Sequence, residues 1–187
     1  MKKQLFLISA LVVLFSACSK DDDETITINK NAEFTIDING IPSPAQGGLI
    51  SSEDFDKYLK NNYFAEQTDG RRIEQNGSLS KENFWEGMIG IGPDGYYFAD
   101  DSAYNYVLYV DYDPSISYIK SGQVYSNGRA VVLSYDGDNM PDLKILNANA
   151  AGFTAIRLIG VKSDGTPSYI YSSYRKVTES DFNKLLK

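Results

Sequence analysis

The chain has 187 residues, 42% of them hydrophobic, with 18 Lys+Arg against 25 Asp+Glu and a net charge of −7. With no histidine and a single cysteine, neither a structural zinc site nor a His-based catalytic triad can be assembled. The acidic balance and a pI near 4.6 also argue against a nucleic-acid partner, which would call for a basic face.

Lys2 and Lys3 open the chain, and an almost unbroken apolar run follows over residues 5–15. That run is shorter than the roughly 20 residues needed to span a bilayer and has the proportions of a secretory signal peptide. It ends in Phe15-Ser16-Ala17-Cys18, small residues immediately before the only cysteine. This resembles a bacterial lipoprotein box, which implies that residues 1–17 are removed and that Cys18 carries palmitate-type acyl chains. With about 0.8 kcal/mol per buried CH₂, such chains anchor a protein to a membrane without a transmembrane helix.

Next comes Ser19-Lys20-Asp21-Asp22-Asp23-Glu24, whose like charges make a solvated tether. The run also resembles the acidic export signal that follows the lipid-bearing cysteine in surface lipoproteins of the Bacteroidota. The location implied is the outer membrane facing the cell exterior, with periplasmic retention as the alternative.

Residues 18–48 read as this tether plus a turn-rich segment, and residues 49–187 as a β domain. Strands are expected at 25–29 and 34–38, followed by Asn39-Gly40, Pro42, Pro44 and Gly47-Gly48; the pattern leaves open whether this segment joins the main sheet. A helix is expected over 51–62, with Phe55, Tyr58 and Leu59 at helical spacing and Ser51 and Asp54 as a capping pair. Period-two segments rich in Tyr, Val and Ile then predict strands at 71–75, 96–99, 104–112, 117–125, 131–135, 142–146, 153–162 and 168–176. Residues 80–86 fit either a helical turn or a strand entry. A second capping pair, Thr178 and Asp181, opens a C-terminal helix over 178–187. Seven Asn-Gly or Asp-Gly pairs punctuate the chain, from Asn39-Gly40 to Asp164-Gly165, and such pairs suit tight hairpin turns. The fold class expected is all-β and antiparallel.

The stretches Ser52-Glu53-Asp54-Phe55…Leu59, Asn83-Phe84-Trp85-Glu86-Gly87-Met88-Ile89-Gly90, Tyr96-Tyr97-Phe98 and Tyr171-Ser172-Ser173-Tyr174-Arg175-Lys176-Val177 occur in that order. They resemble a family of lipocalin-like surface lipoproteins of unknown function from Bacteroidota. The resemblance covers about residues 50–187 and implies a helix followed by antiparallel strands closing into a barrel or related sandwich. If a barrel forms, Trp85, Tyr106 and Arg157 are the expected pocket residues.

Other motifs point to little chemistry. Asp136-Gly137-Asp138-Asn139 starts like a calcium loop, but Pro141 and Asn147 stand where an EF-hand needs Gly and Glu, so an Asp-rich turn is the better reading. No two acids are singled out as a hydrolytic pair. Asp101-Ser102-Ala103 resembles the motif on which Bacteroidota O-glycosylate exported proteins, making Ser102 a candidate acceptor. No cofactor is expected. The function expected is non-enzymatic binding of a small or extended ligand, a glycan or a lipid. The alternative is a structural or interaction module that docks another envelope protein and has no ligand cavity.

Overall fold

The computed structural model describes residues 25–87, 94–99, 106–110, 119–126, 131–134 and 143–184. Cys18, the export signal Ser19 to Glu24, Ser102 and the Asp136–Asn139 turn lie outside them.

A short hairpin comes first, β1 (Phe34–Ile36) against β2 (Pro42–Pro44), closed at Asn39-Gly40 where Gly40 takes a φ of 78°. A three-residue α-helix, α1 (Ser52–Asp54), then continues as a π-helical turn over Phe55–Leu59. The strands of the main sheet follow as β3 (Asn62–Glu66), β4 (Arg71–Ile73), β5 (Leu79–Asn83), β6 (Gly95–Phe98), β7 (Tyr106–Val110) and β8 (Ile119–Ser126). The sheet is completed by β9 (Val131–Ser134), β10 (Leu143–Asn149), β11 (Gly152–Val161) and β12 (Pro167–Val177), and helix α2 (Glu179–Lys184) ends the described chain.

All pairings among the described strands are antiparallel, as the alternation predicted. Ten strands make one sheet in the order β11-β10-β9-β8-β7-β6-β3-β12-β4-β5, and β12 also pairs with β11. One edge of β12 therefore meets β11 along its length, while the other meets β3 and then β4. Followed strand by strand, the ladder runs from β3 through β6 to β11 and back through β12.

Two faces follow from the register. Phe64, Tyr96, Phe98, Leu143, Ile145, Phe153, Ala155 and Tyr174 share one cluster, sealed by Ile50 and by Phe55 and Leu59 of the helical turn. Rings dominate it: Phe153 stacks on Tyr174 at 4.4 Å and meets Phe64 edge-on at 5.1 Å. Burying each such side chain contributes about 1.5–3 kcal/mol. On the opposite face, Ile156, Tyr169 and Tyr171 are covered by Ile28 and Phe34 of the N-terminal segment.

Several expectations are corrected. Residues 25–29 form no strand; Ile26 and Ile28 are buried by packing on the sheet instead. The 34–44 hairpin is a separate two-stranded sheet laid on the main one, fastened where Lys144 Nζ donates to Pro42 O at 2.8 Å and to Ser43 Oγ at 3.1 Å. The first helix stops at Leu59 rather than residue 62, because Asn61 turns the chain at a φ of 58° and Asn62 begins β3. Asparagine tolerates that left-handed conformation better than most residues. Both capping pairs form: Asp54 N donates to Ser51 Oγ and Asp181 N to Thr178 Oγ1, each at 3.1 Å. Asp69-Gly70 makes no hairpin turn, since residues on either side of it pair with β12.

Candidate site: a buried acid–arginine cluster

The pairing along one edge of β12 is interrupted between β3 and β4. On β12, Tyr174 faces Glu66 and Tyr171 faces Arg71, so three steps on one strand span five on the other. Across the next edge, Ala65 faces Gly95 while Arg71 faces Asn83. Glu66 N donates to Asp94 O at 2.8 Å. Just beyond β5, Phe84 N donates to Gly70 O at 2.8 Å. Interruptions of this kind re-aim side chains.

The alternation sets what these side chains meet. Glu66 follows Phe64 on the inner face of β3, Asp94 precedes Tyr96 on β6, and Arg157 continues Phe153 and Ala155 on β11. Beyond the aromatic layer, away from the helical turn, the inner face thus changes from apolar to charged. Arg157 Nη1 lies 2.8 Å from Glu66 Oε2, and Arg157 Nη2 contacts Asp94 Oδ2. The Glu66 and Asp94 side chains are 0% and 3% exposed, whereas Arg157 keeps 12%. Tyr174 donates its hydroxyl to Glu66 Oε1 at 3.3 Å.

Burial dominates the titration of this group. It pushes the Glu66 carboxyl above its ordinary range, against the opposing pull of Arg157 and of the Ser172 and Tyr174 hydroxyls. The Tyr174 hydroxyl is held well above its ordinary value, first by burial and then by the Glu66 charge, so it serves as a donor throughout the physiological range. With all three ions charged the cluster carries one net negative charge, and a proton on Glu66 neutralises it. One guanidinium thus holds two carboxylates, an arrangement suited to fixing hydrogen-bond acceptors in place.

Of the residues expected from sequence, Arg157 is at the centre of the cluster. Trp85 stands at its margin: a Cβ placed on Gly70 would lie 2.8 Å from Ser172 Oγ and 3.1 Å from Trp85 Nε1, so both polar atoms converge on that glycine. Trp85 Nε1 is buried without a hydrogen-bond partner. Tyr106 opens β7, two strands away from β3. Glu66, Asp94 and Ser172 were not expected. The signal for Glu66 was an acid two residues beyond Phe64, at inward parity, hidden while residues up to 62 were read as helix. No group of His, Cys, Asp or Glu suited to a metal ion occurs among the described residues.

Neither a protein-family model, nor a curated protein, nor a solved structure matches the chain.

Proposed function

We propose that the protein is a lipid-anchored, surface-exposed binding domain without enzymatic activity, built on a lipocalin-like barrel. The circuit of pairings through β12 supports the barrel reading, with the helical turn closing one end. The first 24 residues support the anchor on Cys18 and display on the outer membrane. No helix among the described residues is long and apolar enough to cross a membrane.

The observation that carries the binding reading is the charged layer of Glu66, Asp94 and Arg157 on an otherwise aromatic inner face. Removing ions from water costs several kcal/mol each, and a filled apolar interior of the same volume would be at least as stable. A floor of fixed acceptors beside a partly accessible guanidinium and an indole edge suits a hydroxyl-rich ligand, a glycan rather than an acyl chain.

A second reading rests on the opposite end of the same interior. There Phe55, Leu59, Phe64, Phe98 and Phe153 fill the space under the helical turn, as in a module that docks an envelope protein and holds no ligand.

Native mass spectrometry of the protein released from its host's membranes separates these readings. An added mass that survives gentle ionisation and is lost on denaturation is the expected result, and it identifies the ligand class. A bare mass in replicate preparations would overturn the ligand-binding reading in favour of the docking module.

A further inference from the structure

The outer face of the sheet carries a cleft of about 430 Å³ between the N-terminal segment and β10. We propose that this cleft is a binding site for a neutral, hydroxylated ligand of the size of one sugar unit. The inference does not rest on the interior site, because the cleft lies on the opposite face of the sheet.

The floor is aromatic. Phe34 and Tyr171 meet edge-on with ring centroids 5.5 Å apart, and the Tyr171 hydroxyl accepts a hydrogen bond from Asn29 N at 3.3 Å. A ring pair held in this way presents a rigid apolar surface of the sort that packs against the C–H face of a pyranose.

The walls are amides. Asn29, Asn31, Gln46 and Asn147 line the cleft together with the Glu33 carboxylate, and no Lys or Arg does. Side-chain amides both donate and accept, which matches hydroxyl groups that do the same, and the lack of a lining cation disfavours an anionic ligand. Asn29 Oδ1 is already used by Asn31 N at 3.0 Å, which fixes that side chain and leaves its NH₂ as a donor.

Asn147 is brought to the cleft by an irregularity in β10. Ile145 faces Ala155 and Asn147 faces Thr154, so Leu146 is the extra residue. The bulge puts Asn147 on the outer side beside Leu146 and returns Ala148 to the inner cluster. Without it Asn147 would face the inner cluster. At the rim, a Cβ on Gly47 or Gly48 would meet nothing within 4 Å, so the entrance is unobstructed there. The volume lies within the range of small-ligand sites, about 300–1,000 Å³.

The test is amide-resolved NMR of the mature protein in detergent micelles, titrated separately with the methyl glycosides of glucose, galactose and N-acetylglucosamine. Saturable shifts of the Asn147 and Gln46 side-chain NH₂ signals by at least one of them, with a millimolar Kd, are the expected result. Asn147→Ala should weaken that binding roughly three- to tenfold, the loss of about one hydrogen bond. Its melting temperature should be unchanged, because the side chain is exposed. Glu66→Gln, inside the sheet, should bind as the wild type does. Saturable shifts confined to the Trp85 indole and the inner face would overturn the cleft as the site while leaving the interior reading standing. Absence of saturation with all three glycosides, or an unchanged Kd in Asn147→Ala, would overturn it as well.

Discussion

Arg157 and Glu66 lie 91 residues apart in the chain, yet the guanidinium holds the carboxylate at 2.8 Å in a place where Glu66 has no solvent exposure. The same guanidinium reaches Asp94. A single cation therefore compensates two buried anions from two different strands, and the β3–β6 edge and β11 are joined through it across the inner face.

Replacing Arg157 by Met should consequently be far more damaging than loss of an exposed ion pair. It leaves two carboxylates buried without a counter-charge, and breaking such a group costs about 3–5 kcal/mol. Urea unfolding at neutral pH should show this as a lowered midpoint with an unchanged slope. The deficit should shrink at mildly acidic pH, where a proton on Glu66 removes one of the stranded charges. A cost under about 1 kcal/mol would mean that water reaches the cluster.

Glu66 also imposes a pH dependence whose sign is opposite to that of a surface-paired acid. Burial raises its pKa in the folded state above the ordinary value near 4.5, so the native protein holds this proton more tightly than the unfolded chain does. The favourable contribution is complete below about pH 4.5 and is lost as pH rises through the folded pKa. Glu66→Gln should flatten that part of the stability profile, with its advantage over wild type growing toward alkaline pH. Unfolding free energies at several pH values check the slope, and a wild-type curve rising with pH specifically through this group would contradict it.

The hairpin between β4 and β5 is coupled to the N-terminal segment through one glycine. Gly77 takes a φ of 81°, its carbonyl accepts from Phe34 N at 2.9 Å, and a Cβ there would lie 1.8 Å from Phe34 O. Because the obstacle is backbone, no rotamer change relieves it. Gly77→Ala should cost more than about 1 kcal/mol, combining the left-handed backbone penalty with displacement of β1. Limited proteolysis should then cut residues 25–48 faster than in the wild type. Gly165→Ala, with φ at 83° but open space around its Cβ, should lose only the backbone component.

These relationships show where the sequence is transparent and where it is not. Strands β11 and β12 were legible because apolar residues recur along them at alternate positions, β10 was read only as far as residue 146, where its bulge begins, and the caps at Ser51 and Thr178 were legible because their partners lie three residues away. Strand β3 was not. Phe55, Tyr58 and Leu59 have helical spacing, and nothing local announces that Asn61 turns the chain. Losing β3 hid Glu66, and with it the cluster. Asp69-Gly70 misled in another way, since its dipeptide suits a hairpin while residues on both sides of it pair with the same strand, β12. Arg157 was foreseeable as an interior residue from its parity with Phe153 and Ala155. Its two acidic partners were not, because they come from strands far away in the chain.

The anchor makes a separate prediction, independent of the fold. If Cys18 carries acyl chains, each CH₂ they bury contributes about 0.8 kcal/mol, and two chains together hold the protein on the membrane through any washing step. Cys18→Ala removes the only thiol in the chain and so the only site for this attachment. The variant should move into the soluble fraction of fractionated cells, while the wild type sediments with membranes; continued sedimentation of the variant would refute lipidation. Neutralising Asp21, Asp22, Asp23 and Glu24 to their amides leaves the thiol intact, so membrane attachment should persist while surface display fails. Protease added to intact cells should degrade the wild type and spare the neutralised protein. Equal degradation of both would show that the acidic run is a tether alone, since solvated spacing survives the loss of charge far better than recognition by an export machinery does.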